Sequence, residues 1–100
     1  MKLGILVNTE NHLDDIIGIT RAALKKGHEV IIFAMDAGTR LLERQEFSDL
    51  SREEGVSMSF CDHSAKHVGA NTEGLGSEIV CGSQYNNAVM IHDADKLIVL

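Results

Sequence analysis

The chain alternates short apolar runs with amphipathic segments, and glycine or a polar turn closes each of them. Continuous apolar runs are typical of strands that are buried on both faces of a sheet. β-Branched and alternating apolar residues also favour strands. On these grounds five strands are predicted, at residues 3–7, 29–33, 56–60, 79–81 and 97–100. The fourth is short enough to be an extended connector instead.

One long amphipathic helix is predicted at residues 12–26, where apolar side chains recur at spacings of three and four. Asn11 is expected to be its N-cap, with Asp14 three residues later. Asp14 and Asp15 would oppose the helix dipole in the first turn. Gly27 would supply the left-handed residue that ends the helix.

Shorter helices are predicted between the later strands. They are expected around Leu41 and Leu42, from Phe47 through Leu50 to a stop at Gly55, at residues 64–68, and from Ser83 to Ile91. Strands alternating with helices indicate right-handed βαβ units and a parallel sheet. The predicted fold is therefore a three-layer α/β/α domain that spans residues 1–100.

Charge and composition exclude several function classes. The chain has 100 residues, with 9 Lys and Arg against 15 Asp and Glu, so its net charge is −6. An acidic chain without a basic cluster is a poor partner for nucleic acid. No apolar run approaches the ~18 residues of a membrane helix. Because no cleavage site follows the short run at residues 3–7, we expect no signal peptide and a cytoplasmic location.

Candidate binding residues follow from the predicted sheet. Open parallel sheets bind ligands beyond the carboxyl ends of their strands. The polar residues at these positions are Asn8 and Thr9 after the first strand, Asp36 after the second, and Asp62 and His63 after the third. The start of the last helix, at residues 83–87, is expected at the same edge.

Cys61 is the strongest candidate for chemistry, because it lies where the third strand meets a predicted helix. The positive end of a helix dipole lowers the pKa of a thiol, and the nearby His63, Lys66 and His67 would add positive charge. The thiolate is the nucleophilic form of cysteine. The alternative is that Cys61 is a small buried apolar residue, which is common for free cysteine.

The second cysteine, Cys81, closes an apolar run and is interpreted more simply as a core residue. Two cysteines are too few for a disulfide framework, and they do not form a CxxC motif. They would still form a pair of attacking and resolving thiols if the fold brought Cys61 and Cys81 together.

A metal site is a weaker interpretation of the same segment. Cys61, His63 and His67 form a C-x-H-x3-H pattern, and Asp62 or Cys81 would complete a zinc tetrahedron. This spacing matches no standard zinc motif, and two histidines on a solvated helix are usually surface residues. The chain also lacks dinucleotide, Walker A and G-x-S-x-G motifs. We therefore predict no metal and no cofactor.

The polar segment at residues 83–87 exceeds what a helix cap requires. Tyr85 and Asn86 would suit a binding rim or a subunit contact, although Tyr85 packed on the core is an equally simple interpretation. Helix surfaces carrying Phe47, Met90 and Tyr85 would leave apolar area to bury. We therefore expect a homo-oligomer, such as a dimer, trimer or hexamer.

Several segments together extend over essentially the whole chain, at residues 3–8, 26–30, 55–61, 82–83 and 94–99. Their order and spacing resemble the DsrE/TusD family of sulfur-relay proteins. The resemblance implies a flavodoxin-like fold with a mostly parallel five-stranded sheet, and homo- or hetero-oligomers. It also implies that the cysteine after the third strand, here Cys61, carries sulfur as a persulfide between donor and acceptor proteins. The connection at residues 35–40 is short, and in this respect the chain is similar to compact, stand-alone DsrE-like proteins.

Three functional hypotheses follow from the sequence. The first is a sulfur carrier, rather than a full enzyme, that uses Cys61 as its acceptor. The second is a module that binds a small anion or a nucleotide at the strand ends, with Cys61 as a spectator. The third is a structural subunit of an oligomer without chemistry of its own.

Overall fold

A five-stranded sheet, parallel throughout, forms the centre of the molecule in a computed structural model that describes residues 1–100. The strands are β1 (Lys2–Val7), β2 (Glu29–Ala34), β3 (Val56–Cys61), β4 (Ile79–Gly82) and β5 (Lys96–Val99). Their order across the sheet is β4-β3-β2-β1-β5. The helices are α1 (Leu13–Lys25), α2 (Gln45–Ser48), α3 (Asp62–Val68) and α4 (Gln84–Asp93), with 3-10 segments at Asp36–Glu43 and Asp49–Arg52. The predicted flavodoxin-like α/β fold is confirmed.

The strand order explains where the helices lie. From β1 to β4 each strand is added on the same side of the last, and only the step from β4 to β5 runs back across the sheet. Crossovers between parallel strands are right-handed, so the first three connections cover one face and the last covers the other. We call these the α1 face and the α4 face. Four connecting elements between β2 and β4 share the α1 face with α1, whereas α4 is alone on its face.

Most of the core lies on the α1 face. Strand residues alternate between faces, and Leu3, Ile5 and Val7 of β1 all point to this side. The fifteen buried residues of this cluster are Leu3, Ile5, Val7, Ile16, Val30, Ile32, Ala34, Leu41, Leu42, Phe47, Leu50, Met58, Phe60, Ala65 and Ile79. A separate cluster on the α4 face contains Phe33, Cys61 and Met90.

The α4 face is only partly covered, because one helix cannot span five strands. α4 packs over β1, β2 and β3. The apolar side chains left exposed on either side of it are Val80, Leu97 and Val99 on the sheet, and Tyr85, Val89 and Ile91 on α4 itself. The sequence-based expectation that Phe47 and Met90 are surface residues is wrong, because both side chains point into the two core clusters.

Several predicted helix boundaries also need correction. The N-cap of α1 is His12 rather than Asn11, and no side chain caps this end, so Asp14 and Asp15 provide the favourable charge there. Gly27 does adopt the predicted left-handed conformation, at φ +82°. The short helix predicted around Leu41 and Leu42 is a 3-10 helix that spans Asp36–Glu43.

No helix combines the length and the apolar character that a membrane crossing would require.

Candidate functional site at the carboxyl edge of the sheet

Cys61 is both the last residue of β3 and the N-cap of α3. The predicted helix therefore begins at once, at Asp62, rather than at Ser64. In this position the thiol takes the place of a capping oxygen, and the Ser64 N–H donates to Cys61 Sγ at 3.5 Å. The sulfur thereby satisfies one of the free amides of the first helical turn, and that N–H is aimed at the sulfur.

The thiol is almost fully covered, since Cys61 is 4% exposed. It packs with Phe33 and Met90, and the partly buried Leu6 and Met35 lie against the same cluster. Phenyl and thioether groups are apolar and polarisable, so they surround sulfur without competing for its hydrogen bonds. Cys61 is therefore neither freely exposed, as a reactive thiol would ordinarily be, nor isolated from polar donors.

Two opposing effects act on the pKa of the Cys61 thiol. Burial raises the pKa, because it disfavours the charged thiolate. Hydrogen bonds from the side chain and backbone of Ser64 lower it, and so do the Gln84 side chain and the His63 backbone. The hydrogen bonds prevail, so the pKa lies below the ordinary value for cysteine. The shift has the predicted direction. Backbone N–H groups of the helix N-terminus contribute to it as expected, whereas the charges of His63, Lys66 and His67 do not, and the Ser64 and Gln84 side chains contribute instead.

Gln84 is the site residue that sequence reasoning did not single out. It is the first residue of α4, and its Nε2 lies 3.8 Å from Met35 Sδ. Its Oε1 accepts a hydrogen bond from Asn87 Nδ2 at 3.1 Å. The sequence placed the polar segment at residues 83–87 at this edge, and the pairing of β4 with β3 adds that Gly82 lies next to Cys61. A side chain two residues further along is then within reach of the thiol.

Asn8 and Thr9 lie at the same edge, at the end of β1. Both backbone N–H groups donate to the Leu100 carbonyl oxygen, at 3.0 and 3.3 Å. Both residues are half-buried. The predicted edge position is thus occupied by backbone hydrogen bonds to the neighbouring strand end.

Asp36 follows β2 and is exposed. It has a positive φ of 48°, and its carbonyl oxygen accepts a hydrogen bond from Thr39 Oγ1 at 2.7 Å. A positive φ is uncommon outside glycine, and aspartate tolerates it better than most residues. Asp36 therefore shapes the turn after β2, and its carboxylate makes no hydrogen bond.

Asp62 and His63 point away from the thiol cluster. The Asp62 carboxylate pairs with Lys66 Nζ at 2.9 Å, and this lysine lowers the pKa of Asp62. His63 is exposed, and its ring stacks on His67 with centroids 6.5 Å apart. No three side chains of His, Cys, Asp or Glu are grouped as metal ligands would be. The C-x-H-x3-H pattern therefore does not converge in the fold.

Cys81 is exposed, so its interpretation as a core residue is wrong. It lies on β4, an edge strand, and pairs with Phe60 rather than with Cys61. Adjacent residues of β3 point to opposite faces, so the two thiols lie on opposite faces of the sheet and do not form a pair. Desolvation and the nearby Asp62 carboxylate raise the pKa of the Cys81 thiol.

Tyr85 and Asn86 have different surroundings. Tyr85 is 74% exposed, so it does not pack on the core. It lines a groove of about 440 Å³ on the α4 face, beside Ser57, Ser59 and Val80. Asn86 forms a capping box with Ser83, in which Asn86 Oδ1 accepts from the Ser83 N–H at 3.0 Å. Asn86 therefore secures the start of the helix that carries Gln84.

Taken together, the fold and the site define an α/β protein with a hydrogen-bonded cysteine at the carboxyl edge of a parallel sheet. The model of the DsrE/DsrF-like family matches residues 1–100, and the chain belongs to that family. Membership implies a function of the sulfur-relay type, and members of the family are typically oligomeric.

A solved structure supports the fold. The crystal structure of the ychN protein from E. coli superimposes with a TM-score of 0.72 and 16% sequence identity, and the match covers 100% of both chains. No curated protein matches the chain.

Proposed function

We propose that this protein is a sulfur carrier, which accepts sulfur as a persulfide on Cys61 and passes it to the thiol of a partner protein. The observation that supports this most directly is the Ser64 N–H donating to Cys61 Sγ. A hydrogen bond to the anionic form stabilises a thiolate at near-neutral pH, and the thiolate is the form that attacks a sulfur–sulfur bond. Family membership implies the same class of chemistry.

The transfer needs no oxidant or reductant. The Cys61 thiolate attacks the outer sulfur of a donor persulfide, forms a new sulfur–sulfur bond, and releases the donor as a thiolate. The proton of the donor persulfide stays on the outer sulfur. A partner thiolate then attacks that outer sulfur, and Cys61 leaves as a thiolate. Each step exchanges one sulfur–sulfur bond for another, so no net oxidation occurs. In the second step Cys61 leaves as a thiolate, and the hydrogen bonds that stabilise this thiolate make it a better leaving group.

The low exposure of Cys61 fits a carrier better than an open nucleophile. The outer sulfur of a persulfide lies about 2 Å beyond Sγ, so it would extend past the side chains that cover the thiol. Met35 packs against the cluster that contains Cys61, and Gln84 Nε2 contacts Met35 Sδ through one weak hydrogen bond of 3.8 Å. We propose that these two side chains separate when a donor or acceptor thiol approaches.

The test is to incubate the reduced protein with a low-molecular-weight thiol persulfide, remove the donor, and measure the intact mass. We expect a gain of one sulfur atom that disappears on treatment with dithiothreitol. Absence of an adduct, on protein whose Cys61 is alkylated by iodoacetamide under the same conditions, would contradict the proposal. That result would leave the structural-subunit hypothesis as the better account.

We further propose that the protein forms a homo-oligomer through the uncovered parts of the α4 face. Tyr85, 74% exposed, and Val89, 38% exposed, line a groove with Val80 on one side of α4, and Leu97 and Val99 are exposed on β5 on its other side. Exposed apolar patches of this kind mark association surfaces. The single helix on this face explains why the area is left open.

Replacing Val89 by glutamate is expected to dissociate the oligomer, because it would bury an unpaired charge in the contact. Size-exclusion chromatography with light scattering would show the variant at the mass of one chain and the wild type at a multiple of it. The matched control is Ala22→Glu on the exposed side of α1, which should leave the mass unchanged. A wild type that is already monomeric would refute the proposal.

A further inference from the structure

Two side-chain amides near the start of α4 are hydrogen-bonded to each other. Asn87 lies one helical turn after Gln84 on α4, and its Nδ2 donates to Gln84 Oε1 at 3.1 Å. The other end of the Gln84 amide, Nε2, is directed at sulfur, since it lies 3.8 Å from Met35 Sδ. Met35 in turn packs against the cluster that contains Cys61. The amide of Gln84 therefore bridges Asn87 and a group of sulfur atoms.

The orientation of the Gln84 amide decides whether the sulfur atom faces a hydrogen-bond donor or an acceptor. An amide presents hydrogen-bond donors at its nitrogen and an acceptor at its oxygen. A thiolate is stabilised by the nitrogen and destabilised by the oxygen. Since Asn87 Nδ2 already occupies Gln84 Oε1, the opposite orientation would place two donors against each other and turn the carbonyl oxygen to the sulfur.

We propose that Gln84 Nε2 is a hydrogen-bond donor to the sulfur anion of Cys61, and that Asn87 is the positioning residue that holds the Gln84 amide in this orientation. Asn87 Oδ1 is buried and has no hydrogen-bond partner. A buried acceptor without a donor lowers the stability of the fold, so stability alone does not explain the amide pair. The lowered pKa of Cys61, to which the Gln84 side chain contributes, agrees with this arrangement.

The first experiment measures the rate of Cys61 alkylation against pH in a Cys81→Ser background, where one thiol remains. Gln84→Met keeps the length of the side chain and removes the donor. We expect the Cys61 pKa to rise, because the thiolate loses a hydrogen-bond donor, and the alkylation rate at neutral pH to fall several-fold. Gln45→Met is the matched control, because Gln45 lies on α2 and bonds to Asp49. An unchanged pH profile in Gln84→Met would overturn the inference.

A second variant tests the role of Asn87. Asn87→Asp keeps the shape of the side chain but only accepts hydrogen bonds, so it would draw Gln84 Nε2 away from the sulfur. It also adds a negative charge, which raises the thiol pKa by itself. The two effects are separated by repeating Asn87→Asp in the Gln84→Met background. We expect the rise in the Cys61 pKa caused by Asn87→Asp to be less than half as large in the Gln84→Met background as in the presence of Gln84. A shift of equal size in both backgrounds would show that Asn87 does not act through Gln84.

This inference rests on the proposed function only where it gives the Gln84–Asn87 pair a role in sulfur transfer. Alkylation reports the thiolate whether or not a persulfide ever forms. If the profiles follow Gln84 and Asn87 but the protein takes up no sulfur, the inference stands and the carrier function fails. If sulfur loads equally fast in wild type and Gln84→Met, with unchanged profiles, the carrier function stands and the inference fails.

Discussion

Replacing Cys61 by serine is expected to abolish sulfur uptake completely, whereas replacing Cys81 by serine should leave it at the wild-type level. The serine hydroxyl fits the same space and still accepts from the Ser64 N–H, so the fold and the cap of α3 are retained. Its oxygen does not ionise near neutral pH, so no nucleophile remains. Cys81 does not compensate, because its pKa is raised and it lies on the other face of the sheet.

Intact mass after exposure to a thiol persulfide measures this result, and peptide mapping of the wild type locates the added sulfur. Thermal melting of both variants provides the control for folding. Uptake by the Cys61→Ser variant, or mapping of the sulfur to Cys81, would show that the reactive thiol has been misassigned. Loss of uptake in both variants would instead indicate that the chemistry needs the two cysteines together, contrary to their placement.

A methyl group at Gly38 is expected to destabilise the protein strongly, while one at Gly18 should stabilise it slightly. A β-carbon at Gly38 would lie 2.1 Å from the Val7 carbonyl oxygen, which is too close for any contact and involves backbone that cannot move aside freely. Overpacking of this kind costs about 3 kcal/mol or more. At Gly18, inside α1, a β-carbon meets nothing within 4 Å. Replacing a helical glycine by alanine gains about 0.5–1 kcal/mol.

Thermal or urea unfolding of Gly38→Ala and Gly18→Ala measures both effects with the same chemical change. For a chain of this size, about 1 kcal/mol shifts the Tm by roughly 4–8 °C. We therefore expect Gly38→Ala to melt at least 12 °C below wild type or to fail to fold. A Gly38→Ala variant as stable as wild type would mean that the 3-10 segment after β2 does not pack on the end of β1. Gly18→Ala shows that a decrease is not a general result of adding a methyl group.

The pattern of apolar positions was sufficient to predict the sheet and to place Cys61. Runs such as Leu3–Val7 are continuous because both faces of a parallel strand are covered, and the junction of β3 with α3 follows from the change of period after Phe60. A thiol at such a junction meets a helix amide wherever the strand lies in the sheet. Because this feature depends only on residues that are close in sequence, it is predictable from the sequence.

Features that depend on the order of the strands were not predictable in this way. Periodicity does not show that β4 is an edge strand, so Cys81 was interpreted as buried when it is exposed. Nor does it show which side of a helix meets the sheet, which is why Phe47 and Met90 were misplaced. Gln84 belongs to the polar segment expected at this edge, but its proximity to Cys61 is not predictable, because it comes from the pairing of β3 with β4, in which partner residues are 21 positions apart.

The separation of the two thiols by the thickness of the sheet bears on how a bound sulfur would leave. In a protein with paired cysteines, the second thiol attacks the inner sulfur of a persulfide, closes an internal cystine and releases hydrogen sulfide. Cys61 and Cys81 have side chains that point apart, and this geometry does not allow such a bridge. If Cys61 carries a persulfide, Cys81 of the same chain cannot attack it. A thiol from another molecule is then required to remove the outer sulfur.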